Sequence, residues 1–178
     1  MLIRDAAPDE MAEVGDIRVA AYMADGFLSA DSGYAATLRG LGADGLGVVL
    51  VAVLPGEAAG QVTGAEGGRV VGTIMLQPWP HAGQVVGSPG GAEIRALAVD
   101  PRARGRGVGA ELLRHLLGRA AGLGIRDLVL CTLPEMRAAH RLYERAGFAR
   151  RPERDWSPAP DEKLLVYGMR LDGGSALS

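Results

Sequence analysis

The run Arg104-Gly105-Arg106-Gly107-Val108-Gly109-Ala110 carries the most conspicuous chemistry in the chain. Its glycines and arginines stand directly before an apolar helical pattern. The first amides of a helix lack intrahelical acceptors, and the helix dipole makes that end positive. Glycines let a backbone wrap closely around an oxyanion. Arg102, Arg104 and Arg106 add charge-assisted donors. The pattern reads as an anion cradle, and a pyrophosphate is the ligand that suits it. A solvated, exposed turn fits the glycine spacing equally well. A sharper rival is a dinucleotide fold, because Gly105-x-Gly107-x-x-Ala110 satisfies G-x-G-x-x-A. Two features weigh against it. That motif belongs in the first βα unit, close behind its strand, whereas here Asp100 to Ala103 intervene and hairpins come first. The next strand also ends at Cys131-Thr132, with no acidic residue to meet a ribose.

The elements that must position this turn follow from periodicity and punctuation. Leu2 to Arg4 reads as a short strand and Pro8 to Met23 as a helix. Asp31 is the expected N-cap of a short helix ending near Gly42. GVVLVAVL (47–54) and RVVGTIML (69–76) are the arms of an expected hairpin, with a Gly- and Ala-rich turn between them. A loop over 77–91 precedes a strand over 92–99, AEIRALAV. Positions 108, 112, 113, 116, 117 and 120 are apolar at helical spacing within 107–121. A strand over 126–131 and a helix over 135–146, started by Pro134 and closed by Gly147, come next. Two strands, 148–151 and 163–171, complete the chain before a frayed tail at 173–178. Hairpins first and βα crossovers later predict an α/β (α+β) fold. Its sheet is mixed, mostly antiparallel and of about seven strands, with helices on both faces. The expected organisation is a single domain over 1–172.

Composition limits the function classes. The chain has 178 residues, 48% of them hydrophobic and 22% charged, which suits one soluble globular domain. A net charge of −2 argues against a general nucleic-acid binder. The single cysteine, Cys131, excludes an internal disulfide and leaves too little sulfur for a usual structural zinc site, which fits a cytoplasmic protein without a metal. The N-terminus reads as neither signal peptide nor membrane span.

Two segments together resemble a known family. Leu97-Ala98-Val99-Asp100-Pro101 followed by Arg104-x-x-Gly107-x-Gly109 is similar to the acetyl-CoA signature of the GNAT superfamily of N-acetyltransferases. Ala139-His140-Arg141-Leu142-Tyr143-Glu144-Arg145-Ala146-Gly147-Phe148 is similar to the family's A-x-x-LYE-x-x-GF segment. The motifs stand in the family's order, on the family's elements, and the inferred element order agrees across nearly the whole chain. The resemblance implies a GNAT-like sheet with two splayed central strands and acetyl-CoA as co-substrate. It places pantetheine on the backbone of Leu97, Ala98 and Val99. It places the pyrophosphate on Arg104, Gly105, Arg106, Gly107, Val108, Gly109 and Ala110.

The implied reaction is attack of an amine on a thioester. Freeing a lysine-like amine of pKa ~10.4 at pH 7 costs about 4–5 kcal/mol, against about 1–1.5 kcal/mol for an α-amine near ~8. A base therefore matters most for the first acceptor type. Glu93 stands where several family members carry a catalytic glutamate, and acts on this reading through one water. A surface carboxylate paired with Arg95 is the plain alternative, and His81 is a second candidate base. Strand alternation puts Glu93 on one face with Arg95, Leu97 and Val99. Tyr143 is the expected acid toward the departing thiolate, or else a buried tyrosine between helix and sheet. An N–H at or beside Val99 would meet the thioester oxygen.

Met136 stands where many members carry a cofactor-contacting Asn, and His140 is the candidate to compensate. Cys131 reads as a buried strand residue, not a nucleophile. Candidate acceptor-site residues are Tyr22, Asp25, Phe27, Tyr34, Trp79, Trp156 and Tyr167. The expected partners are acetyl-CoA and an amine-bearing small molecule or peptide, with neither nucleic acid nor membrane, and a homodimer is open. The competing function is a catalytically inactive acyl-CoA-binding regulatory module.

Overall fold

The computed structural model describes residues 1–29, 32–55, 68–83 and 85–171. Strand β1 (Leu2–Asp5) leads through a 3-10 turn, Pro8–Glu10, into helix α1 (Met11–Ala24). Helix α2 (Tyr34–Gly40) precedes β2 (Val48–Pro55), β3 (Gly68–Pro78) and β4 (Gly91–Val99). A second 3-10 turn, Pro101–Ala103, leads to α3 (Val108–Gly122) and β5 (Asp127–Thr132). Helix α4 (Arg137–Arg145), β6 (Ala149–Arg150), a third 3-10 turn at Pro152–Arg154, β7 (Trp156–Ala159) and β8 (Glu162–Arg170) complete the fold. The expected N-cap at Asp31, the hairpin turn within 56–67 and the tail at 173–178 lie outside the described residues.

The strands form one open sheet in the order β1-β2-β3-β4-β5-β8-β6, with β7 on β8. It has eight strands where about seven are expected. The extra strand is β7, whose Trp-Ser-Pro-Ala sequence shows no period-2 pattern. Proline is tolerated at such a margin because the strand need not donate on its free side. The β7–β8 register also shifts between Trp156 and Ala159, so neither arm shows a clean hairpin signal. The β4–β5 pair is parallel, in register from Gly91↔Asp127 to Ile94↔Leu130, and α3 is its crossover. Pro134 stands in a turn and does not start α4, because Met136 has ψ of 51° and the helix begins only at Arg137.

The chain forms two compact units, Met1–Met75 with Ala96–Leu116, and Leu76–Arg95 with Leu117–Ser178. Strands β3 and β4 and helix α3 run through both, so neither unit is a continuous piece of chain.

In the first unit, Val14, Ile17 and Ala21 of α1 pack with Val49, Val51 and Val53 of β2 and with Val70, Met75 and Ala98. Leu38 of α2 packs with Val19 and Leu28. The two helices approach closely at Gly15, where a Cβ would lie 2.9 Å from the Arg39 Cα. The wholly buried Arg18 donates from Nη1 to the carbonyls of Leu38 (3.3 Å) and Leu41 (2.6 Å). A cation there complements the negative end of α2. Arg4 and Glu10 form a paired-donor ion pair of 2.7 and 2.6 Å, and Glu10 also accepts from the Ala7 N–H. That joins β1 to the start of α1.

In the second unit, Val85, Val129 and Val166 form an apolar cluster with the half-buried Cys131 and Trp156 against it. Asp155 pairs with both terminal nitrogens of Arg150 at 2.8 Å and accepts from the Val166 N–H at 2.9 Å. Among the described residues, no helix is long and apolar enough to cross a membrane.

Leu38 is fully buried and joins α2 to Val19 and Leu28. Leu38→Ala leaves a cavity there and lowers stability by about 2–5 kcal/mol, as measured by urea unfolding.

Candidate active site

The helix that ends the glycine turn forms as its periodicity demands. Val108, Leu112, Leu113, Leu116 and Ala120 are all buried, at 2% exposure or less. Gly72 of β3 permits close packing, since a Cβ there would lie 2.9 Å from Val108 Cγ1 and 3.1 Å from the Ala98 carbonyl. Gly105 and Gly107 take φ of +73° and +77°, which L side chains rarely adopt. A Cβ at either would meet nothing within 4 Å, so this side of the turn is open. The Glu111 N–H already reaches the Gly107 carbonyl (3.0 Å), which leaves the preceding amides as the free donors of the helix start.

The three arginines divide their work. Arg102 donates to Asp100 from Nε (3.2 Å) and Nη2 (3.1 Å), and the Arg102 backbone N–H adds a bond of 2.9 Å. Arg69 also grips Asp100. Against the opposing effect of burial, these contacts hold the Asp100 carboxyl below its ordinary range. Arg104 donates to both oxygens of Asp25 (2.6 and 3.0 Å) and to the Ala21 carbonyl (3.2 Å). It thereby ties the turn to the end of α1, and its partner is one of the expected acceptor-site residues. Arg106 is exposed and makes no hydrogen bond or ion pair among the described residues. The cradle therefore consists of open backbone with one free guanidinium, held by two that are engaged in the fold.

Strand β4 departs from regular strand geometry at one residue. Ala96 takes φ of +50°, the only positive value at a non-glycine among the described residues. A non-glycine in this region costs on the order of 1–2 kcal/mol. Beyond it Ala98 is the core residue, 4% exposed, while Leu97 and Val99 are half-buried. Ile94 and Ala98 are buried and Arg95, Leu97 and Val99 half-buried, so burial keeps the expected parity on either side of Ala96. Sequence alternation has no means of registering the positive φ.

Glu93 lies on β4 opposite Val129 and is buried, 7% exposed. Its Oε2 accepts from the Gly83 N–H at 2.9 Å and lies 3.9 Å from Arg95 Nε. Burial raises its pKa, against the opposing effects of Arg95 and the Gly83 N–H. Gly83 is a position sequence reasoning missed. A Cβ there would lie 2.6 Å from Glu93 Oε2, so a larger residue would shift the end of the carboxylate side chain. His81 sits in the turn after Trp79 and is exposed.

Tyr143 is buried on α4, with ring centroids 6.0 Å from Phe148 and 6.4 Å from Tyr167. His140 Nε2 lies 3.0 Å from the Leu133 carbonyl, a contact in which that nitrogen carries the proton. The His140 ring lies 5.5 Å from Tyr167. Tyr167 pairs with Leu130 across β5–β8, one residue along from the partner of Glu93. Its hydroxyl donates to Glu144 Oε1 at 3.2 Å. Tyr167, an expected acceptor-site residue, is only 3% exposed and forms part of the wall behind Tyr143. Burial pushes the Cys131 thiol up to about 11, which keeps it protonated at neutral pH. Among the described residues, no three His, Cys, Asp or Glu side chains gather as a metal site would.

Comparisons with known proteins fit this arrangement. The model of the acetyltransferase (GNAT) family matches residues 47–148. A mycothiol acetyltransferase of Mycobacteroides abscessus is 44% identical over 57 residues, which cover 32% of this chain and 19% of that protein. The match thus spans about a fifth of that relative's length. A GNAT-family acetyltransferase of Staphylococcus aureus Mu50 superposes with a TM-score of 0.70 at 16% identity, covering 96% of this chain and 99% of that one. The ribosomal-protein-alanine N-acetyltransferase of Brucella melitensis superposes at 0.65 with 22% identity, over 96% of this chain and 100% of that one. At these identities the superpositions show a common fold. With a family match over more than half its length, on the motifs that build the turn at 104–110, the chain belongs to the GNAT family of acetyltransferases.

Proposed function

We propose that this chain moves an acetyl group from acetyl-CoA to a primary amine by direct attack, with Glu93 as base and Tyr143 as acid. Family membership implies acetyl-CoA and an amine acceptor. The mechanism rests chiefly on one observation, the buried Glu93 carboxylate with its raised pKa. A general base works best when its pKa is brought toward the operating pH, and burial does this for a carboxylate.

The turn at 104–110 fits the diphosphate of the coenzyme. Its two positive-φ glycines leave open space where side chains would stand, and the helix start supplies N–H donors. The backbone of Leu97, Ala98 and Val99 is the proposed pantetheine edge, and His140 the proposed substitute for the Asn that Met136 replaces. The bound coenzyme supplies an activated acyl carbon in a thioester. Glu93, through one water, takes a proton from the attacking nitrogen as the C–N bond forms. The C–S bond breaks, and the Tyr143 hydroxyl gives its proton to the departing sulfur. Solvent then restores the Tyr143 proton. A β4 N–H stabilises charge on the acyl oxygen.

Three outcomes test this reading. Glu93→Gln lowers kcat/KM by about 10²–10⁴-fold in a thiol-release assay. The wild-type acid limb falls above the ordinary glutamate range of ~4.3 and vanishes in the variant. The stability effect has the opposite direction. A carboxyl whose pKa rises on folding contributes stability below its unfolded pKa, and that contribution is lost as pH rises through the folded value. Glu93→Gln is therefore as stable as wild type, or more so, in a melt at pH 7. A wild-type acid limb at or below the ordinary glutamate range refutes the base assignment. Tyr143→Phe lowers kcat by about 10²-fold with little change in KM; an unchanged kcat removes Tyr143 as the acid. Gly107→Asp puts a side chain and a negative charge in the open turn and abolishes acetyl-CoA binding by calorimetry. Unchanged affinity means the diphosphate lies elsewhere.

A further inference from the structure

We infer that the amine acceptor carries a carboxylate, and that Arg95 binds it. The inference rests on the reading of Glu93 as the base. Arg95 lies two residues along β4, with its Nε 3.9 Å from Glu93 Oε2. Its Nη1 donates to Oε1 of the buried Gln77 at 3.1 Å, which fixes the guanidinium plane. Among the described residues it makes no other hydrogen bond, and its side chain is 28% exposed. Among the described residues the Nη2 donors therefore have no partner. Arg150 and Arg151, by contrast, engage carboxylates with both terminal nitrogens, on Asp155 and Asp127. Arg95 meets Glu93 only edge-on, beyond hydrogen-bond distance.

A second guanidinium, that of Arg154, stands in the same unit, 3.6 Å from Asp127 and donating to the Val85 carbonyl at 3.4 Å. Trp156 and Arg154 line an open pocket of about 290 Å³ with Val85 and Gly87, in the same unit as Glu93 and Arg95. The nearby Asp155 is already paired with Arg150. A second cation on the acceptor would meet the Arg95 guanidinium, whereas a carboxylate meets its Nη2 donors in a charge-assisted contact. The separation of Arg95 from Glu93 suits an amine and a carboxylate a few bonds apart, as in an α- or β-amino acid. Arg95 then has a second effect. A cation beside the bound ammonium disfavours its charged form and eases loss of the proton to Glu93.

The test compares matched acceptors on the intact chain. Amino acids, the corresponding amino-acid amides and the corresponding decarboxylated amines are assayed for CoA release, with acetyl-CoA binding measured separately by calorimetry. Acids are expected to exceed amides and amines in kcat/KM by roughly 10–100-fold, mainly through KM. Arg95→Gln removes that ratio while acetyl-CoA affinity is unchanged, and Arg95→Lys restores part of it. Arg95→Glu shifts preference toward the amines. A purely structural arginine would instead lower the rate with all three acceptor classes alike. Equal or better turnover of amides and amines by wild type overturns the inference. So does an acid preference that survives Arg95→Gln, or a protein that binds acetyl-CoA and acetylates none of the acids. Loss of acetyl-CoA binding in wild type would instead refute the reading on which the inference rests.

Discussion

The buried carboxylate of Glu93 is the constraint on which the site depends. Moving a carboxylate out of water is costly unless charge and hydrogen bonds compensate it. The other buried carboxylates among the described residues are compensated. Asp100 is gripped by Arg69 and Arg102, and Glu10 by Arg4, and both have pKa values held down. Asp155, paired with Arg150, behaves likewise. Glu93 has one N–H and a guanidinium too far away to hydrogen-bond, and its pKa is raised. In the proposed mechanism, the raised pKa makes Glu93 a stronger proton acceptor.

Keeping Glu93 there requires several choices that otherwise have no common purpose. Its strand must stay in register with β5 through Ile94↔Leu130, which fixes the carboxylate opposite Val129. The segment before β4 brings the Gly83 N–H to the carboxylate. Arg95 approaches to 3.9 Å, an ion pair without a hydrogen bond, and also donates to Gln77. The cradle at 104–110 follows a similar economy. Asp100 pins the turn by its arginines, and Arg104 anchors it to α1 through Asp25. What remains for a ligand is mainly backbone N–H and open space. Donors of that kind need no side-chain reorganisation on binding.

The legible features were those with strong local signals. The apolar spacing from Val108 to Ala120 marks α3, and the glycines before it mark a turn, because both depend on a few neighbouring residues. Residue patterns place Glu93 on a strand and Tyr143 on a helix, as the structure does. What stayed hidden depends on tertiary context. Strand β7 exists only because β8 pairs with it, and Pro158 makes it read as loop. The positive φ at Ala96 has no marker, since alanine gives no sign of it. Arg104 reads as a phosphate ligand, and its contact with Asp25, distant in the chain, is invisible in the sequence. Gly83 looks like any loop glycine until Glu93 is placed against it.

The most direct measurement is a carbon-detected NMR titration of glutamate side-chain carboxyls in the intact protein, with the Glu93 resonance assigned by its loss in Glu93→Gln. Glu93 is predicted to titrate clearly above the ordinary glutamate value of ~4.3, and Glu10 below it. A Glu93 carboxyl that titrates at or below the ordinary value would contradict the assignment of this buried group as the poised base.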